Sequence, residues 1–164
     1  MAIEARRAAA NEVLQRQRGG IEAAGDVYRV MRLVYPGAFL LMLVEQALGG
    51  EPARAVTAVG VAIFAIAKAL KWWAILALGS SWTFRVIVVP GAPLVVSGPY
   101  RVLRHPNYIA VIGELVGAAL MTGARLSGPI GVAGFSLLIL KRIAVEERAL
   151  RSAGSPSGSR HNGP

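Results

Sequence analysis

Residues 53–78, ARAVTAVGVAIFAIAKALKWWAILAL, decide the fold. Apart from Arg54, Thr57, Lys68 and Lys71, this stretch is made of apolar residues and Gly60. Its length exceeds the roughly 20 residues that an α-helix needs to cross a bilayer. Lysine near the end of such a helix can extend its ammonium to the interface, so Lys68 and Lys71 are expected to mark a membrane surface. Trp72, Trp73 and Trp82 beside them read as an aromatic belt.

Three more apolar segments follow the same pattern, at 30–48, 107–124 and 127–145. The longest uncharged runs, Val86 to Tyr100 and Leu126 to Leu140, are 15 residues each, short of a full span. The helix assignments rest on the interruptions being isolated: Glu45, the Lys68 and Lys71 pair, and Glu114. Across the 164 residues 54% are apolar and 16% charged, with a mean hydropathy of +0.51. A soluble domain keeps charged residues at about 25%, so the composition excludes intrinsic disorder for most of the chain and implies a membrane protein. There is no cysteine, which excludes disulfides and thiolate sites, and two histidines argue against a metal.

The net charge of +9 would suggest nucleic-acid binding on a soluble surface. In an apolar chain it points instead to loops facing an anionic inner leaflet, with membrane lipid as the partner and no nucleic acid. Of the 18 basic residues, six precede the first segment, one lies at Arg54, two end the second segment, three lie in 79–106, one is Arg125 and five follow Leu140. This rich, poor, rich, poor, rich alternation fits four crossings with both termini and the 79–107 loop in the cytoplasm. The fold class expected is therefore an all-α integral membrane protein with about four transmembrane helices. The chain divides into a polar N-terminal helix within 1–29, a transmembrane domain over 30–150 and a disordered Ser/Gly/Pro tail over 151–164. Fifteen of the 18 basic residues are arginine, as in a GC-rich bacterial genome, so a bacterial plasma membrane is expected.

Two polar clusters could carry chemistry. The first is Ser97-Gly98-Pro99-Tyr100-Arg101-Val102-Leu103-Arg104-His105-Pro106-Asn107-Tyr108, leading directly into the third apolar segment. Pro106 suits the first helical position, where its missing N–H has no partner to lose. His105 would then cap the helix, and the helix start beside Arg101 and Arg104 would attract an anionic group. The second cluster is Lys141-Arg142-Ile143-Ala144-Val145-Glu146-Glu147-Arg148. Arg142 and Glu146 are one helical turn apart and share a face, whereas Glu147 is turned away by about 100°. The last two segments form a hairpin, so the ends that carry His105 and Glu146 can be neighbours.

The pattern Leu94-Val95, Ser97-Gly98-Pro99-Tyr100, Arg104-His105-Pro106-Asn107-Tyr108 and then Glu146-Glu147 resembles the isoprenylcysteine carboxyl methyltransferase family. It is similar, more loosely, to the membrane phospholipid methyltransferases. The resemblance covers about residues 79–150. It implies an integral membrane enzyme with S-adenosyl-L-methionine as cofactor, bound by Leu94, Val95, Tyr100, His105, Pro106, Asn107, Tyr108 and Glu146. Arg142 would be the catalytic and substrate-binding residue, meeting the acceptor group of a lipophilic small-molecule substrate, either a carboxylate or a phenolic or lipid hydroxyl. Many members have His where this chain has Ala92, and they continue after the paired glutamates with a Tyr-containing segment and a Val-Pro motif that the tail replaces here. A competing reading from the residues alone is a small four-helix transporter that binds a cation or proton at an intramembrane carboxylate, Glu114 or Glu45.

Overall fold

The computed structural model describes residues 2–154. In chain order the helices are α1 (Ala2–Gln17), α2 (Tyr28–Gly49), α3 (Arg54–Leu78), α4 (Pro106–Thr122) and α5 (Ser127–Gly154). The strands β1 (Ile21–Glu22) and β2 (Ile87–Val88) form one antiparallel ribbon, with Ile21 opposite Val88 and Glu22 opposite Ile87. The protein is an all-α integral membrane protein: α2, α3 and α5 are long and apolar enough to cross a bilayer, and α4 is a shorter apolar helix. At 1.5 Å per residue the 17 residues of α4 rise about 26 Å, just under the roughly 30 Å hydrocarbon thickness. Its central position compensates. Ala110, Leu115, Gly117 and Ala118 are buried, and α4 packs against α2, α3 and α5.

Glycine sets the distance between α3 and α4. A Cβ on Gly117 would lie 2.8 Å from the Phe64 backbone nitrogen and 2.9 Å from the Gly60 carbonyl oxygen, and one on Gly113 would lie 2.9 Å from the Ala67 Cβ. The two backbones touch there, as small residues allow in lipid, where no hydrophobic force draws helices together. Gly123 ends α4 in the left-handed conformation, with φ at 66° and its N–H bonded to the Ala119 and Leu120 carbonyls. A short connection then leads into α5, whose first N–H groups are capped from another helix. Glu45 of α2 accepts from Leu126 N at 2.9 Å, Ser127 N at 2.7 Å and Ser127 Oγ at 2.6 Å.

Helix α5 is the largest departure from the sequence reading. It runs 28 residues, about 42 Å, past position 145 and into the first four positions of the expected tail. Helix-favouring residues such as Ala144, Glu146, Glu147, Arg148, Ala149 and Leu150 continue it after the apolar run stops at Leu140. Its charged end therefore projects beyond the hydrocarbon. The rest of the expected tail, residues 155–164, lies outside the described residues.

Two other expectations are corrected. Lys71 does not extend its ammonium to solvent: it is 5% exposed, with its ammonium between Glu4 and Glu114. Trp82 is 3% exposed rather than part of a belt. It packs with Ile75 and Ala8 beneath α1, while Trp73 is 56% exposed. Helix α1 docks along the end of α3. Asn11 Nδ2 donates to the Gly79 and Trp82 carbonyls at 3.0 and 2.7 Å, and Gln15 Nε2 donates to the Ser80 carbonyl at 2.7 Å. Near its start, Glu4 pairs with Lys71 at 3.1 Å and Lys68 at 3.5 Å.

Substituting Gly117 by Val is expected to force α3 and α4 apart and to destabilise the protein by about 1–3 kcal/mol, read as a lower thermal midpoint in detergent; an unchanged midpoint contradicts this packing. Glu4 gives a pH-dependent counterpart. Burial pushes its carboxyl up, but the Lys71 and Lys68 ammoniums outweigh burial and hold it below the ordinary value of 4.5. Its contribution to stability is thus fully present above pH 4.5 and is lost as pH falls through the lower folded value. The difference in midpoint between the parent and Glu4→Gln should be constant above that pH and shrink below it. A difference that persists in strong acid would exclude the ion pair as its cause.

Candidate active site

The loop between α3 and α4 folds back onto the bundle because of Gly98. Its φ is 58°, a conformation that favours glycine, and a Cβ there would lie 2.9 Å from the Ala77 Cβ and 3.2 Å from Trp73 Nε1. Pro99 is buried behind it. The chain then makes a short 3-10 turn over Gly98–Arg101 and enters α4 at Pro106. His105 occupies the cap position, but its side chain makes no capping bond. Its carbonyl oxygen accepts from the Tyr108 and Ile109 N–H groups at 3.1 and 3.2 Å, and its ring is free to stack on Tyr108, with centroids 5.4 Å apart.

The projecting end of α5 meets this helix start. Tyr108 donates its hydroxyl proton to Glu146 Oε2 at 2.9 Å and accepts from Arg142 Nε at 3.0 Å. Arg142 is 7% exposed. It also donates from Nη1 to Asp26 Oδ1 at 3.1 Å and from Nη2 to the Phe84 carbonyl. Asp26 in turn accepts from the Val86 and Tyr28 N–H groups at 2.9 and 3.0 Å. One guanidinium thus ties α4, the turn before α2 and the segment leading into β2 to α5. Three of its five N–H groups are committed to the protein, which leaves two for a bound molecule.

These residues border a cavity of about 810 Å³, within the range of small-molecule sites. Tyr100, His105, Asn107, Tyr108, Arg142 and Glu146 all line it. Leu94 and Val95 line it as well, with Leu94 69% exposed at its rim. Pro106 does not: it is fully buried at the start of α4 and acts through the backbone it fixes. Glu147 points away and pairs with Arg151 at 3.1 Å. Burial and then the Glu146 charge push the Tyr100 hydroxyl above its ordinary range, keeping it a neutral donor. Asn107 Oδ1 is buried without a hydrogen-bond partner, an acceptor facing no protein donor.

The sequence reading missed several residues of this cavity. Glu4, Tyr35 and Lys71 lie outside both polar clusters and line the cavity, and Asp26, also outside them, holds Arg142. An isolated acid such as Asp26 just ahead of an apolar helix carries no local signal of a partner 116 positions away. The intramembrane carboxylates are both occupied. Glu114 pairs with Lys68 at 3.0 Å and Lys71 at 3.3 Å, and Glu45 caps α5.

Residues 58–152 match the model of the isoprenylcysteine carboxyl methyltransferase (ICMT) family. An uncharacterized Bacillus subtilis protein, YpbQ, is 29% identical over 142 residues, 86% of this chain and 84% of the relative. An uncharacterized Haemophilus influenzae protein is 31% identical over 93 residues, 56% of this chain and 54% of the relative. No solved structure matches. The family match takes in α4, α5, most of α3 and the loop that folds over them, which is more than half of the chain, and the chain belongs to the isoprenylcysteine carboxyl methyltransferase family of membrane methyltransferases.

Proposed function

We propose that this chain is an S-adenosyl-L-methionine-dependent methyltransferase acting on a lipophilic acceptor, a carboxylate or a phenolic or lipid hydroxyl, at the membrane interface. The observation that carries the reading is the cavity itself. It is lined both by the family's motif residues and by apolar side chains of the bundle, including Met31, Val111 and Phe135. The sulfonium donor supplies an activated methyl group. The protein's task is then to hold donor and acceptor in line and to keep water out.

The residues suit that task. The buried Asn107 Oδ1 is an acceptor for a hydroxyl or ammonium of the donor. Tyr108 orients the Glu146 carboxylate, leaving its other oxygen for the same purpose. The stacked His105 and Tyr108 rings offer a flat wall for a nucleoside base, and Leu94, Val95 and Tyr100 close over it. Arg142 lines the cavity with two N–H groups left uncommitted, and it would meet the acceptor oxygen, orienting a carboxylate or stabilising a phenolate. A carboxylate acceptor is already ionised; a phenol must first lose its proton. The site would face the cytoplasm of a bacterial cell, with membrane lipid around it and without metal or nucleic acid. The transporter reading is set aside because Glu114 and Glu45 are both occupied by partners within the protein.

Titration of the detergent-solubilised full chain with S-adenosylhomocysteine in a calorimeter tests the proposal. Binding in the micromolar range is expected. His105→Ala and Glu146→Ala should each weaken it by about tenfold or more, about 1.4 kcal/mol. A parent protein that binds none contradicts the assignment.

A further inference from the structure

Three charged side chains, Glu4, Lys71 and Glu114, are buried together beside the partly exposed Lys68, and Glu4 and Lys71 line the cavity. Lys68 Nζ lies 3.0 Å from Glu114 Oε1 and 3.5 Å from Glu4 Oε1, and Lys71 Nζ lies 3.3 Å from Glu114 Oε2 and 3.1 Å from Glu4 Oε2. Tyr35 donates its hydroxyl proton to Glu114. Two ammoniums face two carboxylates, so the set is neutral. Burying such a set is generally less favourable than burying apolar side chains of the same volume, so charged groups kept at membrane depth tend to serve a function.

The two carboxylates are held differently. Glu114 sits in the middle of α4, 1% exposed and bonded to Tyr35 and both lysines. Glu4 arrives on α1, whose other anchors, Ala8, Asn11 and Gln15, all lie later in the helix. The residues beside it, Ile3 and Ala5, are exposed. Glu4 and Lys71 both line the large cavity, whereas Glu114 does not. Tyr108 and Glu114 are six residues apart on α4, about 9 Å of rise, so the two ends of the cavity can hold different molecules.

We propose that Lys71 is a second cation, which recognises the anionic head of an acidic lipid acceptor as it enters the cavity on its way to Arg142, and that Glu4 is its resident placeholder, released when the acceptor binds. This deepens the methyltransferase reading and rests on it. Exchanging one anion for another on Lys71 keeps the buried set neutral, and the released Glu4 carboxylate gains water as the first turn of α1 lifts. A cationic head cannot make that exchange, because it would meet two ammoniums. Lys71 therefore selects carboxylate or phenolate lipids over amines.

The test uses the full chain in phosphatidylcholine nanodiscs above neutral pH. It is photolabelled with a long-chain fatty acid carrying a diazirine near its carboxylate, or with the matching long-chain alkylamine, and the labelled peptides are read by mass spectrometry. The fatty acid should label the Met31 and Tyr35 walls well above the amine. Lys71→Gln should reduce that labelling about tenfold, Lys71→Arg should retain it, and Glu4→Gln should raise it. Equal labelling by acid and amine, or acid labelling that survives Lys71→Gln, overturns the proposal. If Lys71→Gln does not fold, Glu4→Gln decides, and labelling that fails to rise overturns it. Calorimetry with S-adenosylhomocysteine on the same preparations separates the two readings. Loss of binding in the parent removes the methyltransferase assignment, whereas normal binding with unselective labelling removes only the role of Lys71.

Discussion

The guanidinium of Arg142 is the contact on which the arrangement of the site depends. It is nearly buried and bonded at once to Tyr108, Asp26 and the Phe84 carbonyl. It joins four parts of the chain: the end of α5, the start of α4, the turn before α2 and the segment entering β2. Removing one partner of a buried ion pair leaves an uncompensated charge and typically costs about 3–5 kcal/mol, whereas an apolar replacement of the whole set is often neutral. What the pair provides is therefore direction. With Asp26 holding one side, Tyr108 is left to donate to Glu146, and the carboxylate faces the cavity in a fixed orientation.

A second, largely buried network, Glu4, Lys68, Lys71, Glu114 and Tyr35, reaches the cavity through Glu4, Tyr35 and Lys71. Between the two networks the wall is largely apolar. This layout suits a reaction between a polar nucleotide and a greasy acceptor. The charged groups at each network are paired within the protein, Asn107 Oδ1 is left as an acceptor for a bound molecule, and in the proposed reaction the apolar wall would keep out competing water. The fold supports it through dimensions alone. The glycine contacts of Gly60, Gly113 and Gly117 let α4 lie against α3, and the overlong α5 carries its charged end out to meet the start of α4.

The four apolar helices were legible because their signals are local. Pro106 at a helix start and the apolar runs between charges give α2 to α4 and the start of α5 within a few residues. The motif residues of the loop and of α5 were legible too, since their order along the chain resembles a known family and their one-turn spacing puts Arg142 and Glu146 on one face. The final turn of α5, 151–154, was not, because Ser152 and Gly154 open the Ser/Gly/Pro-rich stretch that reads as a tail. The lysines were misread for a related reason. Lys71 looks like an interfacial anchor until Glu4, 67 positions earlier, and Glu114, 43 positions later, are seen beside it. Asp26 and Trp82 likewise take their roles from partners that sequence spacing does not reveal.

A sulfonium nucleotide held between the start of α4 and the projecting end of α5 is what the proposed methyl transfer requires. An experimental structure of the full chain with S-adenosylhomocysteine bound is the most direct measurement. The ligand is predicted to lie against Asn107, Tyr108 and Glu146, with its sulfur directed toward the apolar half of the cavity. Ligand density elsewhere on the protein, or a cavity filled by lipid with the ligand excluded, would contradict it.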